Sequence, residues 1–328
     1  SLAKGIRNPS YLCFSKDGSF VYAVNELKEY QGGKSGSISA FSFDRGTGAW
    51  KFLNSRPTRG TDPCHVALDN TGKFAAVSNF MSGSVIVYKI REDGSLGDEA
   101  SYMQHRGSSV NAVRQAGPHA HSSIFSPDNG FMYVPDLGLD RVVAYAFDQG
   151  TGSLEERGSR AMTAEPGAGP RHLEFSSDGS RAYVINELAS TLSVFSLKEG
   201  GSFSEIQRIP TLPEGFEGQS TCADVHLSPS GDCLYASNRG HDSIAWYRVD
   251  SGSGLLEAGG FESTRGRTPR NFALDDSGKY LFAANQDSDT IAVFDVESEK
   301  GRPLFTGRVL EVPTPVCLRF LSLDIMGR

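Results

Sequence analysis

Residues 169–187 read GPRHLEFSSDGSRAYVINE. A Pro opens a short apolar run, Ser-Ser-Asp-Gly breaks it, and a second run of aromatic and β-branched residues ends on Asn-Glu. Two strands around an Asp-Gly turn account for this pattern, because Asp and Gly accept the backbone angles that a tight reversal needs. The unit recurs as NPSYLCFSKDGSFVYAVNE from Asn8, DPCHVALDNTGKFAAVSN from Asp62 and GPHAHSSIFSPDNGFMYVPD from Gly117. Further copies are CADVHLSPSGDCLYASNR from Cys222 and TPRNFALDDSGKYLFAANQ from Thr268, and a seventh, TPVCLRF from Thr314, stops after its first strand. Successive starts lie 46 to 55 residues apart, the range of propeller blades rather than of helical or leucine-rich repeats.

Most units continue with a third run of β-branched and aromatic residues, such as SVIVYKI from Ser84, RVVAYAF from Arg141 and TIAVFDV from Thr290. A weaker fourth follows Gly-rich turns such as GTGAW and GTGSL. No segment carries a helical period. The expectation is an all-β, seven-bladed β-propeller of four-stranded antiparallel blades, made by residues 1–328 as a single domain. Only about eight residues precede the first repeat, too few for the three strands that would complete a seventh blade. That blade is therefore expected to be incomplete, with VCLRF from Val316 as a strand paired to the N-terminal region and the tail LSLDIMGR at an edge. Neither Trp50 nor Trp246 is followed by Asp, so the Trp-Asp signature of WD40 rings is absent.

Charge and cysteine usage narrow the function. A formal net charge of -7 argues against a nucleic-acid surface, which needs an excess of Lys and Arg. No apolar run approaches the ~18 residues of a membrane span. The five cysteines spell neither a disulfide framework nor a zinc motif, and free thiols suit a reducing compartment. A cytoplasmic location, no cofactor and no metal are expected.

Neighbouring strands of a blade run antiparallel, so the start of the first strand and the end of the second share one face of the ring. Those positions gather His65, His119, His121, Arg171, His172, Asn186, Glu187, Asp224, His226, Asn238, Arg239, Arg270 and Asn271. Asn79, Asn285 and Asp136 read as turn caps. Arg171, His172, Glu187 and Arg239 stand where neighbouring repeats keep small or neutral residues, which favours a functional reading of that set. A concave mouth rich in cations with a few carboxylates is an anionic-ligand site. Cys64 beside His65 reads poorly as a nucleophile and its base, because adjacent strand residues point to opposite faces. Calcium at Asp224, Glu187 and Asn186 is disfavoured by the interleaved arginines.

The stretches GSSVNAVRQAGPHAHS, VPDLGLDRV, GPRHLEF, YVINELAS, ASNRGHDSIAWY, TPRNF and FAANQDSDTIAVF resemble the seven-bladed propeller lactonase family, over about Asn8 to Phe320. That family includes 6-phosphogluconolactonases and 3-carboxy-cis,cis-muconate cyclases. The resemblance implies metal-independent chemistry at the channel mouth, with His121, Arg171, Glu187 and Arg239 at the catalytic and anion-binding positions. His119, His172, Asn186, His226, Asn238 and Arg270 are expected to bind substrate. The expected substrate is a small anionic lactone, preferably 6-phosphoglucono-δ-lactone, opened by activated water with Glu187 or His121 as base. Carboxymuconate cyclisation would use the same arginines, and a non-catalytic interaction scaffold would instead call for exposed apolar residues at the mouth.

Overall fold

The computed structural model describes residue 3 and residues 5–321. Its sheets follow the repeats: residues 9–57, 63–104, 170–210, 221–263 and 269–311 each form one four-stranded antiparallel sheet in sequential order. The third blade, residues 124–163, departs at both edges. Its innermost strand shrinks to Ile124–Phe125, and its outermost is split into Leu154–Glu156 and Met162–Thr163 by a short 3-10 turn at Gly158–Arg160.

The turns behave as their residues require. In the first, third and fourth blades a Ser hydroxyl and a backbone N–H two residues after the Asp both bond that carboxylate, as at Asp17, Asp128 and Asp178. Second strands are the most apolar because both faces are covered, and in the first, fourth and fifth blades they carry one Tyr that reaches across to the next blade. Tyr22 donates its hydroxyl to Gly94 O at 3.0 Å, Tyr183 to Gly254 O at 3.0 Å and Tyr235 to Gly301 O at 2.8 Å. Each buried ring is worth about 1.5–3 kcal/mol and each such bond about 1 kcal/mol net. Gly94 sits at φ +78 with Phe20 packed where a Cβ would stand, so a side chain there would break the staple.

Ring closure differs from the expectation. The described residues contain six sheets, five of four strands and one of five, and the VCLRF segment from Val316 forms no strand. It finds no partner, because residues 5–8 contribute no strand. The segment instead lies between the first and sixth blades and touches both through side chains. Leu318 N–H donates to Asn271 Oδ1 at 2.6 Å, Phe320 packs on Phe282 at 5.0 Å, and Cys317 Sγ sits 3.8 Å from Leu12 O. The Arg319 guanidinium covers the Tyr11 ring at 4.6 Å and bonds its hydroxyl. The tail expected at an edge lies, apart from Leu321, outside the described residues.

Candidate functional site

Sequence neighbours meet at the axis because the inner strands bulge. Pro170 pairs with Asn186 but His172 pairs with Ile185, which leaves Arg171 as an extra residue. Ser10, Cys64 and Arg270 are the matching extra residues of the first, second and sixth blades. A bulge sets two residues against one and re-aims their side chains. Arg171 and His172 consequently touch, with Nη1 3.2 Å from Nε2, so the rule that strand neighbours point apart fails at this position. Cys64 is no nucleophile for a different reason: burial pushes its thiol well above the ordinary value.

Glu187, just past the second strand of the fourth blade, is the centre of the mouth. Its Oε2 accepts from Arg171 Nε at 3.1 Å and ion-pairs with Arg239 Nη2 at 2.9 Å, and its Oε1 accepts from Arg114 Nη2 at 2.6 Å. Burial pushes the carboxyl up, but the Arg239, Arg171 and Arg114 charges outweigh it and hold the group at about 2. Arg171 also donates to Ala223 O. Burial together with Arg239 and Arg270 lowers the Arg171 guanidinium to about 10, against the pull of Glu187 and Asp224. It stays charged at neutral pH.

One layer deeper the balance runs through histidine. His172 Nε2 accepts from Arg171, so its Nδ1 carries the proton given to Asp224 Oδ1 at 2.6 Å. Burial and Arg171 lower His172 to about 4. Asp224 Oδ2 accepts from His226 Nε2 at 3.0 Å and from Asn271 Nδ2, while His226 Nδ1 meets Glu174 Oε1 at 2.9 Å. Burial opposes the charge on His226, yet Asp224 and Glu174 raise it to about 10.

His121 lies in the same cluster, its ring 5.3 Å from His172 and 5.2 Å from Phe80, with Nδ1 3.7 Å from Cys64 Sγ. Burial, then Arg171, His172 and Arg270, hold it well below the usual histidine range. It is therefore a neutral imidazole, and no described residue bonds its Nε2.

Several expected ligands are placed otherwise. His226 is not on this rim: two residues beyond Asp224 on the inner strand, it lines cavities with Leu227 and Glu174 toward the opposite end of the channel. His119 is committed to the seam between the second and third blades, stacked on Phe80 at 4.7 Å with Nδ1 3.0 Å from Phe80 O. Asn186 and Asn238 are wholly buried in their own blades. Asn186 donates to Thr191 and Ser193, and Asn238 to Thr211 O and Ser243, the role that Asn79 and Asn285 play in theirs. Asp136 caps the backbone N–H of His119 and Gly138 and also holds His105 Nδ1 at 2.6 Å. His65 is a deep, neutral residue against Tyr11, its ring 4.4 Å away.

Arg114 was missed. It sits in the loop before the third blade, where Asn111 Oδ1 receives the Val113 and Arg114 N–H groups and buried Gln115 bonds Leu137 O and Asp140. The available signal was its place just before the PHAHS stretch, a loop cation that no strand position marks. Among the described residues no three His, Cys, Asp or Glu side chains group as metal ligands.

The family model described as "Lactonase, 7-bladed beta-propeller" matches residues 1–320. A 6-phosphogluconolactonase of Bacillus subtilis is 35% identical over 321 residues, covering 98% of this chain and 89% of the relative. One of Formosa agariphila is 34% identical, covering 82% and 76%. The structure of a periplasmic gluconolactonase of Pseudomonas aeruginosa superposes with a TM-score of 0.90 at 33% identity, covering 97% of this chain and 89% of that one.

Proposed function

The chain belongs to the seven-bladed β-propeller lactonase family, and we propose from that premise that it hydrolyses a phosphorylated sugar δ-lactone, 6-phosphoglucono-δ-lactone. The observation that carries this reading is a neutral His121 set beside a cluster in which Arg114, Arg171, Arg239 and Arg270 outnumber the Glu187 and Glu26 carboxylates. Ester hydrolysis at a lactone needs a base for water, positive donors for the developing oxyanion and cations for the remote phosphate. His121 Nε2 takes the proton from water. Arg171 is the arginine whose charge acts most strongly on His121, and it stabilises the tetrahedral oxyanion. Glu187 is too weak a base for the task; it holds the arginines apart at fixed spacing and keeps their repulsion from opening the mouth. We read Thr314–Phe320 as the axial position of a seventh blade. The five free thiols support a reducing compartment.

The test is to offer purified protein the phosphorylated lactone, glucono-δ-lactone and carboxymuconate, with and without chelator. The expected result is hydrolysis above the spontaneous rate, with the highest kcat/KM on the phosphorylated lactone. Turnover of carboxymuconate alone would overturn it. In the same assay His121→Gln should lower kcat by roughly 10² to 10⁴ with KM little changed. Because His121 titrates below the ordinary 6.5, wild-type kcat should stay flat as pH falls through 6.5 and drop only further down. An inflection at the ordinary histidine value would remove His121 from the role.

A further inference from the structure

Of the mouth's cations, Arg239 Nη2 donates to Cys222 O and ion-pairs with Glu187 at 2.9 Å each while its Nε is buried without a partner, Arg171 is taken by Glu187, His172 and Ala223 O, and Arg114 by Glu187. Arg270 is different. Only its backbone N–H is engaged, with Thr268 O at 2.7 Å, and no described residue hydrogen-bonds or ion-pairs with its guanidinium. It is the bulge residue of the sixth blade, matching Arg171 of the fourth. Its charge is felt at Arg171, His121 and Cys64, so it stands at the same end of the channel as the reacting groups.

Arg270 opens onto a cavity of about 400 Å³ between the first and sixth blades, lined also by Asn8, Ser10, Glu26, Gln286 and Thr314. Gln286 Oε1 is buried there without a hydrogen-bond partner, and an amide can present either its oxygen or its nitrogen to a ligand. Asn8 is turned away, its amide spent on Glu26 O at 2.7 Å, which leaves the Glu26 carboxylate as an acceptor in the lining. A free cation, an unsatisfied amide, a hydroxyl and one carboxylate suit a polyhydroxyl chain that ends in an anion. They suit a tricarboxylate poorly, because Glu26 repels it and no ligand hydroxyl would satisfy Glu26.

We infer that this cavity is the subsite for the remote phosphate and hydroxylated arm of the lactone, with Arg270 as the phosphate anchor. The inference rests on the lactonase reading. Arg270 holds the phosphate through charge-assisted bonds, Gln286 and Ser10 complete its donors, and Glu26 accepts from sugar hydroxyls.

Steady-state kinetics of wild type, Arg270→Gln, Arg270→Lys and Arg239→Gln on the phosphorylated and unphosphorylated lactones test it. Loss of one charge-assisted contact should cut the preference for the phosphorylated lactone by about 10- to 100-fold in Arg270→Gln, through KM. Arg270→Lys should recover part of that preference, and Arg239→Gln should weaken both substrates together. An Arg270→Gln enzyme that loses both lactones equally, or a preference lost only in Arg239→Gln, overturns the assignment. Calorimetric titration with inorganic phosphate decides the subsite independently of turnover. Binding at least tenfold weaker in Arg270→Gln supports it even if neither lactone is hydrolysed, a result that would sink the lactonase reading alone. Unchanged phosphate binding overturns it.

Discussion

Glu187 and Asp224 are both buried carboxylates on the channel axis, one blade apart, and they are neutralised by opposite means. Glu187 is met by three arginines, which remain charged across the working pH range, so its surroundings do not titrate. Asp224 is met by His172, His226 and Asn271, two of which titrate, at about 4 and at about 10. One centre is electrostatically constant and faces the substrate. The other, behind it, carries the pH dependence of the fold. Arg171 joins them, with Nε on Glu187 and Nη1 on His172.

Severing that joint should have the largest effect. Arg171→Met removes a donor to the oxyanion and leaves His172 Nε2 unpaired, so kcat/KM should fall on the order of 10²- to 10³-fold. A loss of less than about tenfold would show that the two centres work separately. Glu187→Gln comes next. It keeps the shape and removes a charge that performs no proton transfer, so kcat should drop by less than about tenfold, against the 10² to 10⁴ expected of a general base. A drop within the larger range would restore Glu187 as the base and demote His121.

The smallest effect is on stability. His226 is raised from 6.5 to about 10, so the folded state holds its proton more tightly than the unfolded chain. The stability this contributes is complete below pH 6.5 and is lost as pH rises toward 10. His172, lowered to about 4, works in the opposite sense together with His65 and His121: their contribution is complete above 6.5 and is lost as pH falls. Thermal melting across pH should peak near neutrality, and His226→Gln should flatten the alkaline limb by a few degrees. An unchanged alkaline limb would mean that His226 is not charged in the fold.

The repeat made most of the fold legible, because Asp-Gly turns and alternating strands are local chemistry that each copy states again. Arg171, Glu187 and Arg239 were legible for the complementary reason: they interrupt the repeat. Asn186 and Asn238 misled because they belong to it, filling the same intrablade hydrogen-bonding position as Asn79 and Asn285. The bulge at Arg171 was hidden, since a register shift of one residue leaves no mark on composition. His226 was misplaced because its step along the inner strand was not counted: entering at the mouth with Thr221, that strand has carried the chain toward the far end by residue 226. VCLRF shows that strand-forming residues without a partner edge do not make a strand.

The closure at Thr314–Phe320 makes this ring behave like a split washer. Tyrosines bolt the first blade to the second, the fourth to the fifth and the fifth to the sixth, whereas the first and sixth blades are joined through a few side chains around Asn271, Tyr11 and Phe282. The Arg270 cavity spans this seam, with Ser10 and Glu26 on one lip and Arg270 and Gln286 on the other. A molecule gripped by both lips is a clasp. It ties the first blade to the sixth across their shared seam.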